Sequence, residues 1–100
     1  MSDMKKVLSY LGLAQRAGML VSGEFMVERA LKDGDAKVVI IGMDASENTT
    51  KKFINACDFR FVPYRVCSSK EELGHAIGKE IRVVCAVIDN GFAQAILKCF

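Results

Sequence analysis

The chain has 100 residues, of which 51% are hydrophobic and 26% are charged, and its formal net charge is +2. This length allows one hydrophobic core, so we expect a single domain over residues 1–100. A protein that coats nucleic acid through charge alone is usually more basic, so this chain must contact any nucleic-acid partner through a small local surface.

The cysteines and apolar runs indicate the redox compartment and the relation to membranes. None of the four cysteines lies in a C-x-x-C pair, so we expect no metal site. Residues 1–6 carry charges with no apolar stretch behind them, and the longest apolar run, residues 83–88, cannot span a bilayer. We therefore expect a cytoplasmic protein with reduced thiols, no signal peptide and no membrane partner.

The first half of the chain alternates helical patterns with apolar strands. Apolar residues recur at three- and four-residue steps over residues 4–14, which predicts a helix closed by Gly18. Residues 19–21 form a short predicted strand, and a second helix runs from about Gly23 to Gly34. The β-branched run at residues 38–41 predicts a strand buried on both faces.

The same alternation continues after residue 45. A third helix follows Ser46, and residues 61–66 are a predicted strand in which Pro63 marks the start or an edge position. The S-x-x-E spacing that begins at Ser69 is typical of a capping box, so a fourth helix is predicted from there to Gly78.

A buried strand and a last helix complete the predicted elements. Residues 82–88 are a second predicted buried strand, apolar from residue 83 onward, and Asn90 can cap the helix that follows. Because strands alternate with helices, the sequence predicts an α/β protein, a three-layer α/β/α sandwich around a small mixed sheet of about four strands.

No catalytic constellation can be assembled from the sequence. His75 stands alone in a helix, and the glycines of residues 74–78 lack the strand-then-helix setting of a dinucleotide loop. Asp44 follows a strand but has no partner carboxylate nearby, which favours a helix-capping role. We therefore predict that the protein is not an enzyme and uses no cofactor.

Three stretches of the sequence form one pattern: LGLAQRAG at residues 11–18 with Ser-Gly at 22–23, ALKDGDAKVVII at 30–41, and VPY at 62–64 with Ser-Lys at 69–70 and LGHAIG at 73–78. In this order and spacing they resemble the L7Ae/L30e family of small ribosomal and kink-turn RNA-binding proteins, and its short bacterial members most closely. The resemblance covers residues 5–97.

The resemblance implies the same α/β/α sandwich and a partner that is structured RNA, particularly a kink-turn with tandem sheared G·A pairs, ribosomal or regulatory. In that family the N-terminus of the second helix enters the RNA groove, and the loop after the fourth helix covers a protruding nucleotide. No DNA partner is expected, and a monomer is favoured.

The first candidate RNA contact is the start of the second helix. A helix start presents unpaired backbone N–H groups and a partial positive charge, and a glycine there lets a nucleic-acid backbone come close. An arginine further along the helix can bind a phosphate or a guanine edge through two hydrogen bonds. The candidates are Ser22, Gly23, Glu24, Phe25, Met26 and Arg29.

The second candidate contact is the loop before the last strand. Two cations there flank an exposed apolar side chain, a suitable surface for an unstacked base. Its residues are Lys79, Glu80, Ile81 and Arg82. A charged loop with no RNA role is the simpler alternative.

Phe25 and Met26 depart from the family pattern, which has Asn or Lys followed by Glu or Gln at these positions. Neither side chain can form hydrogen bonds to base edges. Phe25 can stack on a base, or both residues can belong to the core. A third alternative is a protein-interaction module on the same fold, in which an aromatic residue and a flexible Met beside a glycine form the contact.

Overall fold

The computed structural model describes residues 3–100. Met1 and Ser2 lie outside the described residues, and they belong to the N-terminal segment for which the sequence predicts no signal peptide. The described residues form five helices and four strands. In chain order these are α1 (Met4–Arg16), β1 (Leu20–Ser22), α2 (Glu24–Lys32), β2 (Val38–Ile41), α3 (Glu47–Arg60), β3 (Tyr64–Val66), α4 (Lys70–Ala76), β4 (Val84–Val87) and α5 (Asn90–Leu97).

The four strands form one mixed sheet in the order β1-β4-β2-β3. β2 and β3 are parallel, whereas β4 is antiparallel to both β1 and β2. The register pairs Ser22 with Cys85 and Ile41 with Val84, so the ends of β1 and β2 lie beside the start of β4. We call this end of the strands the carboxyl end of β2, and the opposite end of the strands its amino end.

Helices cover both faces of the sheet, which confirms the predicted three-layer sandwich. Successive residues of β2 point alternately into two cores, with Val38 and Ile40 on one face and Val39 and Ile41 on the other. One core contains side chains of α1, α4 and α5, and the other contains side chains of α2 and α3. All four residues of β2 are buried, as their β-branched run predicts.

Side-chain caps begin four of the five described helices. Ser46 caps α3, and Ser69 forms the predicted capping box of α4 with Glu72. The predicted cap at Asn90 is wrong, because Asp89 accepts the hydrogen bond from the Phe92 N–H at 2.9 Å and Asn90 is already helical. Asp and Asn both cap helices well, so the sequence does not show which of these two adjacent residues is the cap.

Three predicted strands have different bounds in the structure. β1 begins at Leu20 rather than residue 19, and β3 covers only 64–66 because Phe61 still belongs to the end of α3. Pro63 precedes β3, which is an edge strand as predicted. β4 covers 84–87 rather than 82–88, since the Arg82 N–H bonds outside the sheet, to the Lys70 carbonyl oxygen.

Candidate nucleic-acid interface

The start of α2 has no side-chain cap. Gly23 is its N-cap residue, with φ of 89° and ψ of 156°, a conformation that is essentially restricted to glycine. Its own N–H donates to the Val84 carbonyl oxygen at 2.9 Å, which fixes the helix start against β4. By helix geometry, the amides of residues 24–26 have no partner within the helix and are available to an acceptor from outside.

Arg82 and Ser22 join the two candidate contacts into one surface. The Arg82 Nε donates to the Ser22 Oγ at 3.0 Å, across 60 positions of sequence. A second guanidinium nitrogen donates to the Ile81 carbonyl oxygen at 2.7 Å, and both contacts lie at the carboxyl end of β2. The helix start and the loop before β4 were predicted separately, and the structure makes them neighbours.

Phe25 and Met26 lie on the surface, which excludes the prediction that they belong to the core. Phe25 is 73% exposed and Met26 is 44% exposed, in the first turn of α2. Phe25 and Arg29 are four residues apart on the helix and line the same shallow depression. An exposed aromatic ring therefore lies beside a cation next to the open helix start.

Arg29 is only loosely held by the protein. Its Nε lies 3.8 Å from an oxygen of Asp33, and both side chains are mostly exposed, so this pair contributes little to stability. The neighbouring Glu28 has a different partner, Lys52, at 3.0 Å, and a hydrogen bond from Lys52 lowers the pKa of Glu28. The Arg29 guanidinium can therefore exchange its partner for an external anion.

The loop before β4 presents an apolar side chain between charged ones. Ile81 is 48% exposed, and Lys79 and Glu80 are exposed as well. Within residues 3–100, no hydrogen bond or ion pair links the Lys79 or Glu80 side chain to the start of α2. The structure thus joins Arg82 to the first contact, whereas Lys79 and Glu80 stay on the loop.

The missing side chain of Gly74 leaves room for this loop to pack against α4, which the sequence did not predict. A Cβ on Gly74 would come within 2.6 Å of the Glu80 carbonyl oxygen and 2.8 Å of the Ile81 nitrogen, closer than real Cβ contacts. A side chain at this position would therefore displace the loop. Gly74 belongs to the LGHAIG stretch that resembles the family, but its close approach to the loop before β4 is evident only in the fold.

Met43 is a second residue that sequence reasoning missed. It is 70% exposed in the loop between β2 and α3, at the same end of the sheet as Ser22. Its N–H donates to the Ser68 carbonyl oxygen, so the backbone of this loop is fixed. Nothing in the local pattern distinguishes an exposed Met in a loop from a buried one.

The residues considered for catalysis have structural roles or stand alone. The Asp44 Oδ1 accepts from the Lys70 N–H at 2.9 Å, so Asp44 caps α4, which agrees with the predicted capping role. His75 is exposed in the last turn of α4. Burial raises the pKa of Cys57 to about 11 and that of Cys85 to about 12, so neither thiol ionises near neutral pH.

Residues 3–100 contain no group of three or more His, Cys, Asp or Glu side chains that could hold a metal ion. No helix in this part of the chain has the length and apolar character needed to cross a membrane. The fold and the site thus define a small α/β/α protein in which an open helix start and a neighbouring loop form one basic and apolar surface.

The chain belongs to the ribosomal protein L7Ae/L30e/S12e/Gadd45 family, whose model matches residues 5–97. It is 47% identical over 87 residues to the RNA-binding protein YlxQ of Bacillus subtilis (strain 168), a match that covers 87% of each chain. These findings confirm the family that the three sequence stretches predict.

Solved structures agree with the fold. The chain is 40% identical to a Bacillus halodurans C protein of unknown function, with a TM-score of 0.91 and coverage of 94% of this chain and 95% of the other. A 15.5kD RNA binding protein of Giardia lamblia superposes with a TM-score of 0.85 at 20% identity, covering 96% and 82% of the two chains. At that identity the second likeness establishes the fold alone.

Proposed function

We propose that this protein binds structured RNA without catalysis, through the start of α2 and the loop before β4. The observation that carries the proposal is the hydrogen bond from Arg82 to Ser22, which places a guanidinium beside an uncapped helix start. Family membership and the RNA-binding protein YlxQ among the relatives support this choice. We also propose that it acts as a single-domain monomer in the cytoplasm.

Each part of the surface has a distinct role in this proposal. The free amides of residues 24–26 and the positive end of the helix bind phosphate oxygens or base acceptors. Gly23 lets the RNA backbone come close, since nothing lies within 4 Å of where its Cβ would stand. Two of the N–H groups of Arg82 are already used, and the others, together with Arg29, contact phosphate or a guanine edge.

The RNA we propose is a kink-turn, ribosomal or regulatory. A bent backbone with a protruding nucleotide fits a surface that offers backbone donors at one side and the exposed Ile81 at the other. Because the side chains of Phe25 and Met26 cannot hydrogen-bond to sheared pairs, the chain recognises the bend through its backbone amides, its cations and stacking on Phe25. Few cations take part, so the affinity falls only modestly with salt.

A titration tests this function. A kink-turn RNA is compared with the same RNA in which Watson–Crick pairs replace the sheared G·A pairs, and each is titrated with the wild type and with Arg29→Ala. We expect the kink-turn to bind more tightly, and Arg29→Ala to weaken it about tenfold, the value of one good bidentate contact. Equal, weak binding of both RNAs together with no effect of Arg29→Ala would refute the proposal.

The exposure of Phe25 and Met26 favours one alternative, a protein-interaction module on the same fold. An exposed aromatic ring and a flexible Met side chain are typical of protein contacts. The variant Phe25→Ala/Met26→Ala separates the two functions. If it binds the kink-turn as tightly as the wild type does, the apolar pair serves a protein partner instead of RNA.

A further inference from the structure

The amino end of β2 carries a second exposed aromatic surface, away from the Gly23 helix start. Phe59 is 78% exposed and Phe61 is 94% exposed, at the end of α3. They lead into β3, whose first residue pairs with Val39 near the start of β2. The strands of the sheet therefore separate these two rings from the surface that Ser22 and Arg82 form.

The backbone of Phe61 shows that the fold does not need a phenylalanine there. Phe61 ends α3 in the left-handed conformation, with φ of 57° and ψ of 38°, and the next N–H, of Val62, donates to the Cys57 carbonyl oxygen. Glycine is the usual residue in this type of helix end. The ring contributes almost nothing to the core, so the position exposes an aromatic side chain in an unfavourable conformation.

Cations line the same surface as the two rings, although the Arg65 guanidinium lies 5.5 Å from the centre of the Phe100 ring. Two adjoining open grooves lie on this surface, and among their lining residues three are basic and one is acidic: Lys37, Arg60, Arg65 and Asp58. Three positive charges less one negative charge give this small area a net +2, equal to the formal net charge of the whole chain. The Arg60 guanidinium lies 5.7 Å from the centre of the Phe59 ring.

We infer that this surface, which we call the Phe61 platform (residues 37 and 58–65), binds unpaired nucleotides of single-stranded RNA. Exposed rings with flanking cations match the two features of such a ligand, since bases stack on aromatic faces and phosphates pair with Lys and Arg. A purely apolar protein partner would leave the three cations without counter-charges. The platform lies apart from the α2 start, so the inference does not depend on kink-turn recognition.

Fluorescence anisotropy with a labelled ten-nucleotide oligoadenylate tests the inference, because adenine offers a large surface for stacking. The decisive variant is Phe61→Gly, which suits the left-handed backbone and should fold at least as stably as the wild type. We expect it to bind oligoadenylate about fivefold to a hundredfold more weakly, as the loss of one stacked base predicts. Leu13→Ala, which changes an exposed apolar residue of α1 outside both surfaces, should bind as the wild type does.

Three further measurements identify the contact. An abasic oligonucleotide of equal charge should bind to the wild type at least as weakly as oligoadenylate binds to Phe61→Gly, because it has no base to stack on either ring. The logarithm of the oligoadenylate affinity should fall with the logarithm of salt with a slope of about −2, the value for three neutralised phosphates of a single strand. Amide chemical-shift changes on titration should cluster at residues 37 and 58–65.

Other results would overturn the inference. Equal binding of oligoadenylate by the wild type and Phe61→Gly would do so, as would shift changes confined to residues 22–29. A dimer in sedimentation that Phe61→Gly dissolves would show that a second copy of the chain occupies the platform. Kink-turn binding is measured in parallel: if it fails while oligoadenylate binds, the proposed function is wrong and the platform stands.

Discussion

The starts of α2 and α4 are built in opposite ways. At α4, the Ser69 side chain accepts from the Glu72 N–H, the Glu72 carboxylate accepts from the Ser69 N–H, and the Asp44 carboxylate accepts from the Lys70 N–H. At α2, no side chain caps the helix. Ser22, the residue before the glycine, offers its oxygen to Arg82 instead of to an amide of the helix.

This difference shows which helix start serves the fold and which is available to a ligand. A capping side chain is worth about 0.5–2 kcal/mol relative to alanine but only a few tenths of a kcal/mol relative to glycine, so α2 forgoes a small stabilisation that α4 obtains. In exchange, the amides of α2 and its positive end remain open, beside a guanidinium that Ser22 holds in place. Changes at the two helix starts should therefore have different effects on stability and on RNA binding.

Gly23→Ala should have the largest effect. A Cβ there meets nothing within 4 Å, but the backbone conformation at φ of 89° costs a side-chain residue about 1–3 kcal/mol. We also expect kink-turn affinity to fall more than tenfold, because the methyl group lies where the RNA backbone should approach. Chemical denaturation and RNA titration measure the two effects.

Gly18→Ala is the matched control for this variant. Gly18 also has a positive φ, of 72°, and open space around its missing Cβ, but it lies at the end of α1. It should lose stability while keeping the RNA affinity of the wild type. If Gly23→Ala, once folded, also bound RNA normally, the open helix start would have no special role.

Arg82→Ala should have the next largest effect, and mainly on binding. It removes the guanidinium and frees the Ser22 hydroxyl, so we expect a loss of kink-turn affinity of about tenfold to a hundredfold and a salt slope smaller by about one. Arg82→Lys keeps the charge but loses the fork of N–H donors, and should fall between the two. Equal affinities of all three proteins would show that the loop before β4 does not contact the RNA.

Much of the fold was predictable because local signals agree with one another. The β-branched run that forms β2, the capping box of Ser69 and the glycine after α1 each specify an element within a few residues. One error occurs where two neighbours compete for one role, since Asp89 and Asn90 are equally good helix caps. The other occurs at Phe61, which belongs to the end of α3 rather than to β3 because it adopts a left-handed backbone that its residue type disfavours.

The site was less predictable, because its geometry depends on contacts between distant residues. The sequence marked Gly23 and Arg82 as candidates, but not the hydrogen bond that joins Arg82 to Ser22. The close approach of Gly74 to the Glu80 carbonyl and the exposure of Met43 likewise depend on packing between elements. No periodicity within one element carries such information.

Ser69→Ala should have a moderate effect, confined to stability. Removing the hydroxyl that accepts from the Glu72 N–H should lower the free energy of unfolding by about 1 kcal/mol. Three amides at this helix start, those of Ser69, Lys70 and Glu72, have partners in the wild-type protein, and the helix start is not part of the proposed RNA surface, so RNA affinity should not change. A clear loss of kink-turn binding by folded Ser69→Ala would mean that the start of α4 also contacts the RNA, and the contrast between the two helices would fail.

Phe25→Ala should have the smallest effect and sharpens the contrast at the level of a single side chain. The ring is 73% exposed, so its removal should change the free energy of unfolding by less than about 0.5 kcal/mol. We expect a loss of kink-turn affinity of about fivefold, the lower limit for one stacked base, since the ring stays largely in solvent. Leu13→Ala, which removes an exposed apolar side chain of α1 outside both proposed RNA surfaces, is the control, and it should leave kink-turn affinity unchanged. Equal losses from both variants would show that exposed apolar surface acts non-specifically, and that the open start of α2 does not direct the contact.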